Sequence, residues 1–399
     1  MTRRAIVVGH EASRSGAPRV LDCLLQEIVS RHSDKWGCDV WLRDGGDDLD
    51  YWQRTHAAIL LAHHWSGHRS VRSRFWRRFW DRPYGQPRAF RRSVSRLPAG
   101  EHSVIHLNTI TNGDLLPILA QLGLPTVIHV HEAAESLHRF VNVGERRNTL
   151  KYATQFIAVS SSCRDDLIQS WNLEPSRVSV VPNFIRSIPA EIGREEARCV
   201  IMQQRGIPID GRFVVVVGNI DRIKGPDLFL DALGRVGNRL GGQEQIRAAW
   251  VGGISDHGMA RLLERRLALD LGLKSVHWPG RILNVPQWMA AADVVVVTSR
   301  EESFSMVALE AAALGRPVVC FAGARGPLEV LGRRSELVAP GFDVASMADR
   351  IVALLRNPEM AEVLGRELRE LVASRFLARD RVPEILGIWE AAAELWRGR

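Results

Sequence analysis

Short runs of apolar, mostly β-branched residues recur along the chain, and each passes into a segment whose apolar positions follow helical spacing. Phe213–Val217 is one such run and Asp293–Val297 is another. After the second run, the apolar positions from Met306 to Leu314 change to the period of a helix. The pattern predicts strand, loop and helix in repeated order. Such alternation is typical of parallel sheets covered by helices.

The first half of the chain alternates in the same way. A strand ending at Gly9 precedes a loop over 11–18 and a helix predicted over 19–29, and further strands are predicted at 104–108 and 125–130. Because the carboxyl ends of parallel strands meet at one edge of a sheet, we expect the loops after these strands to line a cleft. The length of 399 residues predicts two domains.

Composition narrows the class of protein. A hydrophobic content of 46% is that of an ordinary globular protein. The five cysteines are scattered and form no Cys-x-x-Cys pair, so neither a disulfide framework nor a zinc site is expected, and a reducing cytoplasm fits. The apolar run after Met1 is too short for a signal peptide, and no segment approaches the length of a membrane-spanning helix.

The segment from Ser299 to Val319 carries the most chemistry. Glu302 lies in the predicted loop and Glu310 lies inside the predicted helix, so the two carboxylates can face one crevice at different depths. Gly315 and Pro317 end that helix. The free backbone amides at its first turn attract an anion such as a diphosphate. Two solvated glutamates on an amphipathic helix are the alternative interpretation.

This segment resembles the Glu-x7-Glu signature of retaining glycosyltransferases, in particular family 4 of the GT-B fold. The resemblance implies that Glu302 contacts hydroxyls of a donor sugar and that Glu310 binds the ribose of its nucleotide. The family usually has Gly-Phe-Gly after the first glutamate, whereas this chain has Ser-Phe-Ser, which keeps the backbone amides but changes the clearance for the sugar. The donor-binding residues implied here are Glu310, Ser303, Phe304, Ser305 and Met306.

A second motif, Gly218–Pro226, follows the apolar run that ends at Val217. Relatives carry Gly-Arg-x4-Lys-Gly here, so the resemblance implies that Lys224 clamps the donor diphosphate and stabilises charge on the leaving group. Asn219 stands in place of the arginine, and a neutral amide does not replace a guanidinium at a phosphate. Either Arg222 takes that place or the clamp is weaker. A turn with incidental basic residues is the alternative.

The resemblance implies two further contacts. Gly280 and Arg281 end a predicted strand, where relatives hold the nucleotide base. Gly16 lies in the loop with which relatives approach the donor phosphate and the acceptor, although a plain strand-to-helix turn explains it almost as well.

Two histidines end the strand predicted at 125–130. His129 and His131 lie on one face of it by alternation. Relatives place a histidine near the reacting carbon of the donor sugar, and alignment assigns that role to His131. An ordinary strand-end histidine is one alternative. A zinc ligand is another, although no third ligand follows at metal-site spacing.

The resemblance covers most of the chain and implies an α/β protein of the GT-B fold, with two Rossmann-like doubly wound parallel-sheet domains facing a central cleft. An acceptor-binding domain is expected over 1–188 and a nucleotide-sugar-binding domain over 189–377, with a helix at 378–399 packing back on the first. The implied reaction is metal-independent transfer, with retention, from a nucleotide-diphosphate sugar to a carbohydrate or lipid-linked acceptor in polysaccharide or glycolipid biosynthesis. No cofactor is expected. The alternatives are a sugar-phosphate synthase on the same fold and a non-catalytic nucleotide-sugar-binding or membrane-surface scaffold protein.

The fold does not explain the segment 65–96, which is dense in arginine and aromatic residues and has Asp81 as its only acid. Such a segment suits an anionic membrane surface, so we expect a cytoplasmic protein that can associate peripherally with the inner membrane face. A helix with its arginines in water is the alternative. The net charge of +8 and the pI near 9.7 would permit nucleic acid binding, but no nucleic-acid motif supports it.

Overall fold

A computed structural model of the protein describes residues 2–60, 102–241, 246–269 and 276–397. The basic aromatic segment 65–96 lies outside these ranges. The chain divides into two units. The first unit is Met1–Val181 with Ala378–Arg399, and the second is Pro182–Leu377. The domain boundary predicted between residues 188 and 189 lies within the second unit of this division.

The first unit is built on a seven-stranded sheet in the order β3-β2-β1-β4-β5-β6-β7, and every pairing in it is parallel. Its strands are β1 Arg3–Gly9, β2 Trp36–Leu42, β3 Ile59–Leu60, β4 His102–Leu107, β5 Thr126–Val130, β6 Gln155–Ala158 and β7 Val178–Val180. Its α-helices are Gly16–Arg31, Leu49–His56, Leu116–Leu119, Ala134–Phe140, Val143–Tyr152, Ser161–Trp171 and Ala378–Arg397. Short 3-10 helices span Ile110–Asn112, Ala120–Leu122 and Pro175–Arg177.

The second unit is built on a six-stranded parallel sheet in the order β10-β9-β8-β11-β12-β13. Its strands are β8 Arg212–Val217, β9 Ile246–Val251, β10 Val276–Gly280, β11 Val294–Val297, β12 Val318–Phe321 and β13 Val338–Ala339. Its α-helices are Arg194–Arg205, Pro226–Leu240, His257–Leu269, Val285–Ala291, Met306–Ala313, Leu328–Leu331, Val344–Arg356 and Pro358–Arg375, with a 3-10 helix at Ala322–Ala324.

The valine runs form the centres of these sheets because parallel strands are covered by helices on both faces and read as continuous apolar sequence. All four residues of β11 are buried, as are Phe213 to Val216 of β8. The predicted doubly wound parallel sheets are therefore confirmed. Among the described residues, no helix is both long and apolar enough to cross a membrane.

The last helix of the chain, Ala378–Arg397, belongs to the first unit. Its Trp389 is fully buried and meets Trp36 edge to face, with ring centroids 5.2 Å apart. Near its end, the indole N–H of Trp396 donates to the carbonyl of Gly123 over 2.6 Å. The helix thus completes the core of the unit that the amino-terminal half of the chain begins.

Candidate active site

Lys224 and Glu302 form an ion pair where two neighbouring strands of the second unit end. β8 and β11 pair directly, and the loops at their carboxyl ends carry Lys224 and Glu302. The Nζ of Lys224 lies 2.7 Å from Oε1 of Glu302, and the hydroxyl of Ser299 donates to the same oxygen over 2.7 Å. The Glu302 side chain is only 11% exposed and that of Lys224 30%. The pair is therefore partly shielded from water. A charge in such an environment interacts more strongly than one on an open surface.

Burial opposes the charge on Lys224, and its carboxylate neighbours favour it. Desolvation alone would lower the pKa of Lys224, but Glu302, and more weakly Asp221, outweigh it and raise that pKa above its ordinary value. Lys224 is consequently a fixed cation at neutral pH.

Backbone geometry holds the Lys224 loop against the end of β11. Gly225 adopts a left-handed φ of 66°, and a Cβ on it would lie 2.3 Å from the carbonyl oxygen of Thr298. The Thr298 hydroxyl donates to the Lys224 carbonyl over 2.9 Å, and the Arg300 amide donates to the Ile223 carbonyl over 2.7 Å. Only glycine fits where the two chains approach so closely.

The Ser-Phe-Ser loop starts the helix that carries Glu310. Ser305 is buried, and its hydroxyl caps the Met306–Ala313 helix by accepting from the amide of Ala308 over 3.3 Å. Phe304 is buried edge to face against Phe376, with centroids 6.0 Å apart. Glu310 is also buried. Ser303 is half-buried beside them, as is Met306.

The remaining donor-side residues lie in the Lys224 loop and at the end of β10. Asn219 and Arg222 are exposed in the Lys224 loop. Gly280 ends β10, which is separated from β8 by β9, and its carbonyl accepts from the Gly252 amide over 3.0 Å. Arg281 follows it and is exposed. Each predicted residue lies at or just beyond the carboxyl edge of the sheet, except Glu310 within its helix, and an ion pair joins Lys224 directly to Glu302.

A glycine-rich turn over 323–327 supports Glu302, and this contact is not apparent from the sequence. Arg325 adopts φ 62° and ψ −57°, and the Gly326 amide donates to the Ala324 carbonyl over 2.8 Å, which makes a strained γ-turn. The Ala324 carbonyl also accepts from the Glu302 amide over 3.1 Å. A Cβ on Gly326 would lie 2.6 Å from the Glu302 carbonyl oxygen. The Gly-Ala-Arg-Gly-Pro stretch was the available signal.

In the first unit, His131 follows β5 and lies beside Asn108, which follows β4. Nε2 of His131 is 3.2 Å from Oδ1 of Asn108. The rings of His129 and His131 lie 4.3 Å apart between centroids, and His106 is 5.6 Å from His129. His106 and His129 are fully buried. Alternation on the strand therefore places both predicted histidines on one face, and the structure adds a third.

These histidines are neutral at physiological pH. Burial lowers the pKa of His106 and that of His131 to about 3, and it lowers the pKa of His129 well below 6.5. The next residue, Glu132, accepts from the amide of His131 over 2.9 Å and from the hydroxyl of Thr109. Burial raises the pKa of Glu132 despite these hydrogen bonds.

Gly16 is the first residue of the Gly16–Arg31 helix, directly after the β1 loop. Ahead of it, Ser13 donates to Glu11 over 2.6 Å. Hydrogen bonds from His10 and Ser13 lower the pKa of Glu11 to about 2 against the opposing effect of burial. Within the parts of the chain that the structure covers, no three histidine, cysteine or acidic residues are grouped so as to hold a metal ion.

Two family models match the chain. Residues 31–187 match the family described as Glycosyltransferase Family 4, and residues 211–357 match Glycosyl transferases group 1. The chain is 31% identical over 295 residues to a D-inositol 3-phosphate glycosyltransferase of Frankia alni, covering 68% of this chain and 70% of that protein. It is 28% identical over 349 residues to the protein of the same name from Thermobispora bispora, covering 82% and 79%.

Solved structures show the same fold. Anabaena Alr3699/HepE in complex with UDP and glucose superposes with a TM-score of 0.76 at 18% identity, covering 96% of this chain and 99% of that one. The sucrose-phosphate synthase of Thermosynechococcus elongatus superposes with a TM-score of 0.75 at 19% identity, covering both chains fully. The protein therefore belongs to glycosyltransferase family 4, also described as group 1, within the GT-B glycosyltransferases.

Proposed function

We propose that the protein is a retaining enzyme that moves a sugar from a nucleotide-diphosphate sugar to a carbohydrate or lipid-linked acceptor, in polysaccharide or glycolipid biosynthesis. The observation that carries the proposal is the Lys224–Glu302 pair at the ends of adjacent strands. Glu310 lies on the helix that begins just after it, as the donor-binding arrangement requires.

Glu302 and Lys224 have complementary roles in this proposal. The side-chain hydrogen bonds of Glu302 within the described residues use Oε1, so Oε2 is the atom that accepts hydrogen bonds from sugar hydroxyls. Lys224 supplies positive charge for the diphosphate as negative charge grows on it. Glu310 accepts from the ribose hydroxyls, and the start of its helix supports the diphosphate. The amides of Ser303 to Met306 belong to that start.

The acceptor attacks the anomeric carbon on the face from which the diphosphate leaves, and the leaving phosphate takes the acceptor proton. The bond from the anomeric carbon to the phosphate oxygen breaks, and a bond to the acceptor oxygen forms. No residue is assigned as a nucleophile, and no metal or cofactor is required. His131 contacts the donor sugar, Gly16 approaches the phosphate and the acceptor, and Gly280 with Arg281 borders the base.

Names of similar proteins support the donor and the type of acceptor. Anabaena Alr3699/HepE has been solved with UDP-glucose, and the Frankia relative is named for inositol 3-phosphate. A uridine donor and a polyhydroxylated acceptor are therefore the first to test.

The first experiment is a thermal-shift screen of UDP-, GDP-, ADP- and dTDP-sugars. A ligand that prefers the native state raises the melting temperature, so one base should stand out. Transfer with that donor is then followed by NMR of the new anomeric centre, and acceptors should include inositol phosphate and hexose phosphates. Retention supports the proposal, and an inverted product overturns it. If a donor binds but is neither hydrolysed nor transferred, the alternative of a non-catalytic nucleotide-sugar-binding protein is favoured.

We further propose that the segment 65–96 holds the enzyme at the cytoplasmic face of an anionic membrane, within reach of a lipid-linked acceptor. Each basic residue near such a surface contributes about 1 kcal/mol, so several together suffice for salt-sensitive binding. Replacing Arg72, Arg74, Arg77 and Arg78 by glutamine should abolish sedimentation with anionic vesicles and leave donor binding intact. Equal partition onto neutral and anionic vesicles would contradict the proposal.

A further inference from the structure

Four polar side chains form two columns on neighbouring strands of the first unit. His106 and Asn108 alternate along β4 and its end, and His129 and His131 alternate along β5 and its end. Asn108, His106 and His129 are fully buried. Asn108 and His131 are joined by a hydrogen bond, so the direction of the bonds at Asn108 determines the direction of the bond at His131.

The amide of Asn108 has only one possible orientation. Its Nδ2 donates to the backbone carbonyl of Ala17 over 2.9 Å, and a carbonyl can only accept. The other amide atom, Oδ1, is then the one that faces Nε2 of His131 over 3.2 Å. Because Oδ1 also can only accept, the proton of neutral His131 resides on Nε2. Its lone pair is on Nδ1.

We propose that Asn108 is a positioning residue for sugar transfer, which fixes His131 as the Nε2–H tautomer and so makes Nδ1 a hydrogen-bond acceptor for a substrate hydroxyl. The proposal rests on the proposed function, in which His131 contacts the donor sugar. In a histidine, the hydrogen bond at one ring nitrogen determines the role of the other. Asn108 also links three elements, since Ala17 lies in the first turn of the helix that begins at Gly16.

The surroundings favour a neutral ring. Burial is the largest cause of the lowered pKa of His131, and the nearby rings of His10 and His106 lower it further. The His129 ring lies tilted against that of His131 with centroids 4.3 Å apart, and Glu132 accepts from the His131 backbone amide. His106 is itself fixed by Trp389, whose indole N–H donates to Nδ1 over 3.1 Å.

The test is the tautomer itself, read from the 15N chemical shifts of histidine ring nitrogens at pH 7. The signal of His131 is assigned by its loss in His131→Gln. We expect the Nε2–H form in the wild-type enzyme and a loss of the single fixed tautomer in Asn108→Ala. The matched control is Asn112→Ala, since Asn112 is equally buried in the same unit and bonds Arg43 instead. A wild-type Nδ1–H tautomer or an imidazolium overturns the proposal.

Kinetics provide the second readout. Asn108→Ala should lower kcat for transfer roughly tenfold, the effect of one lost hydrogen bond, with little change in nucleotide affinity. In Asn108→Asp, the new carboxylate raises the pKa of His131. As pH falls, the ring then becomes doubly protonated and Nδ1 can no longer accept a hydrogen bond. The activity of that variant should therefore recover as pH rises, unlike that of Asn112→Ala. An unchanged pH profile in Asn108→Asp counts against the proposal.

Failure of the proposed function has a different signature. Wild-type rates in Lys224→Ala would overturn the donor-site assignment but leave the tautomer of His131 as measured. If Lys224→Ala does lower the rate of transfer but His131 is found as the Nδ1–H tautomer, only the role of Asn108 is overturned.

Discussion

At the residue scale, Lys224 and Glu310 are expected to affect different steps. Lys224→Ala removes charge stabilisation of the leaving group, so kcat should fall on the order of 10²-fold or more. Glu310→Ala removes a contact that ground state and transition state share, so donor affinity should fall more than kcat. Steady-state kinetics with donor titration separate the two. Lys35→Ala, on an exposed surface of the first unit, is the control. Wild-type turnover in folded Lys224→Ala would contradict the assignment.

The missing clamp arginine gives a second residue-scale prediction. Arg222 is exposed in the same loop, so it can replace the guanidinium that Asn219 lacks. Arg222→Ala should weaken donor binding about tenfold or more, the worth of a charge-assisted hydrogen bond. Adding Asn219→Arg should restore it, whereas Arg261→Ala in the same unit should change nothing. Calorimetric titration measures each affinity, and normal binding by Arg222→Ala would leave the weaker clamp as the better interpretation.

Local spacing made part of this site readable from sequence. Glu302 and Glu310 lie within one strand-loop-helix segment, so their relation follows from helical periodicity. The contact between Lys224 and Glu302 spans 78 positions and depends on the pairing of β8 with β11. Asn108 gave no signal because asparagine after a strand is an ordinary turn residue.

At the element scale, close contacts between backbone segments hold the loops of the site in place. Replacing Gly225 by alanine should destabilise the second unit by about 1–3 kcal/mol, because alanine is strained at a φ of 66° and its Cβ would overlap Thr298. Gly237 is the matched control, since it lies in the adjoining Pro226–Leu240 helix with open space around it. Gly237→Ala should stabilise by about 1 kcal/mol. Thermal melting compares them, and equal effects would refute the close approach.

Element bounds were predicted less well than element types. The helix predicted over 19–29 spans Gly16–Arg31, because Pro18 is tolerated within the first turn and does not mark its start. The glycines around Arg325 indicate a turn, but its γ conformation is not readable from sequence, since the positive φ is imposed by the surrounding loop and not by a glycine.

At the scale of the whole molecule, the buried histidines predict acid sensitivity. Folding holds the pKa of His106 and of His131 at about 3, below the ordinary 6.5, so the unfolded chain binds more protons between these values. Stability is therefore full above about pH 6.5 and falls as pH drops towards 3, by about 1.4 kcal/mol per pH unit for each proton. The raised pKa of Glu132 acts in the opposite direction and offsets part of the loss.

Replacing one buried histidine should remove the contribution of one proton to the pH dependence of the unfolding free energy. His129→Leu should flatten the dependence of unfolding free energy on pH between 6.5 and 4, because a fully buried titrating ring is removed. His138→Gln changes an exposed histidine of the same unit and should leave the slope unchanged. Denaturant titrations across this range measure both. An identical slope in His129→Leu would show that this ring does not limit stability in acid.

The fold class was predictable because apolar runs and helical segments alternate along both halves of the chain outside 65–96. The Glu-x7-Glu segment then indicates one family among the proteins with such a fold. What the pattern cannot convey is which strand lies beside which. The order β10-β9-β8-β11-β12-β13 places β11 next to β8 although two strands separate them in sequence.

Because Ala378–Arg397 belongs to the first unit, that unit is interrupted by the whole of the second. Synthesis on the ribosome delivers the chain from its amino terminus, so every residue of Pro182–Leu377 emerges before Trp389 does. Until the last helix is synthesised, the nascent first unit lacks the contacts of Trp389 with Trp36 and His106. We therefore expect the second unit to finish folding first, and the newborn chain to need protection by chaperones until its last helix arrives.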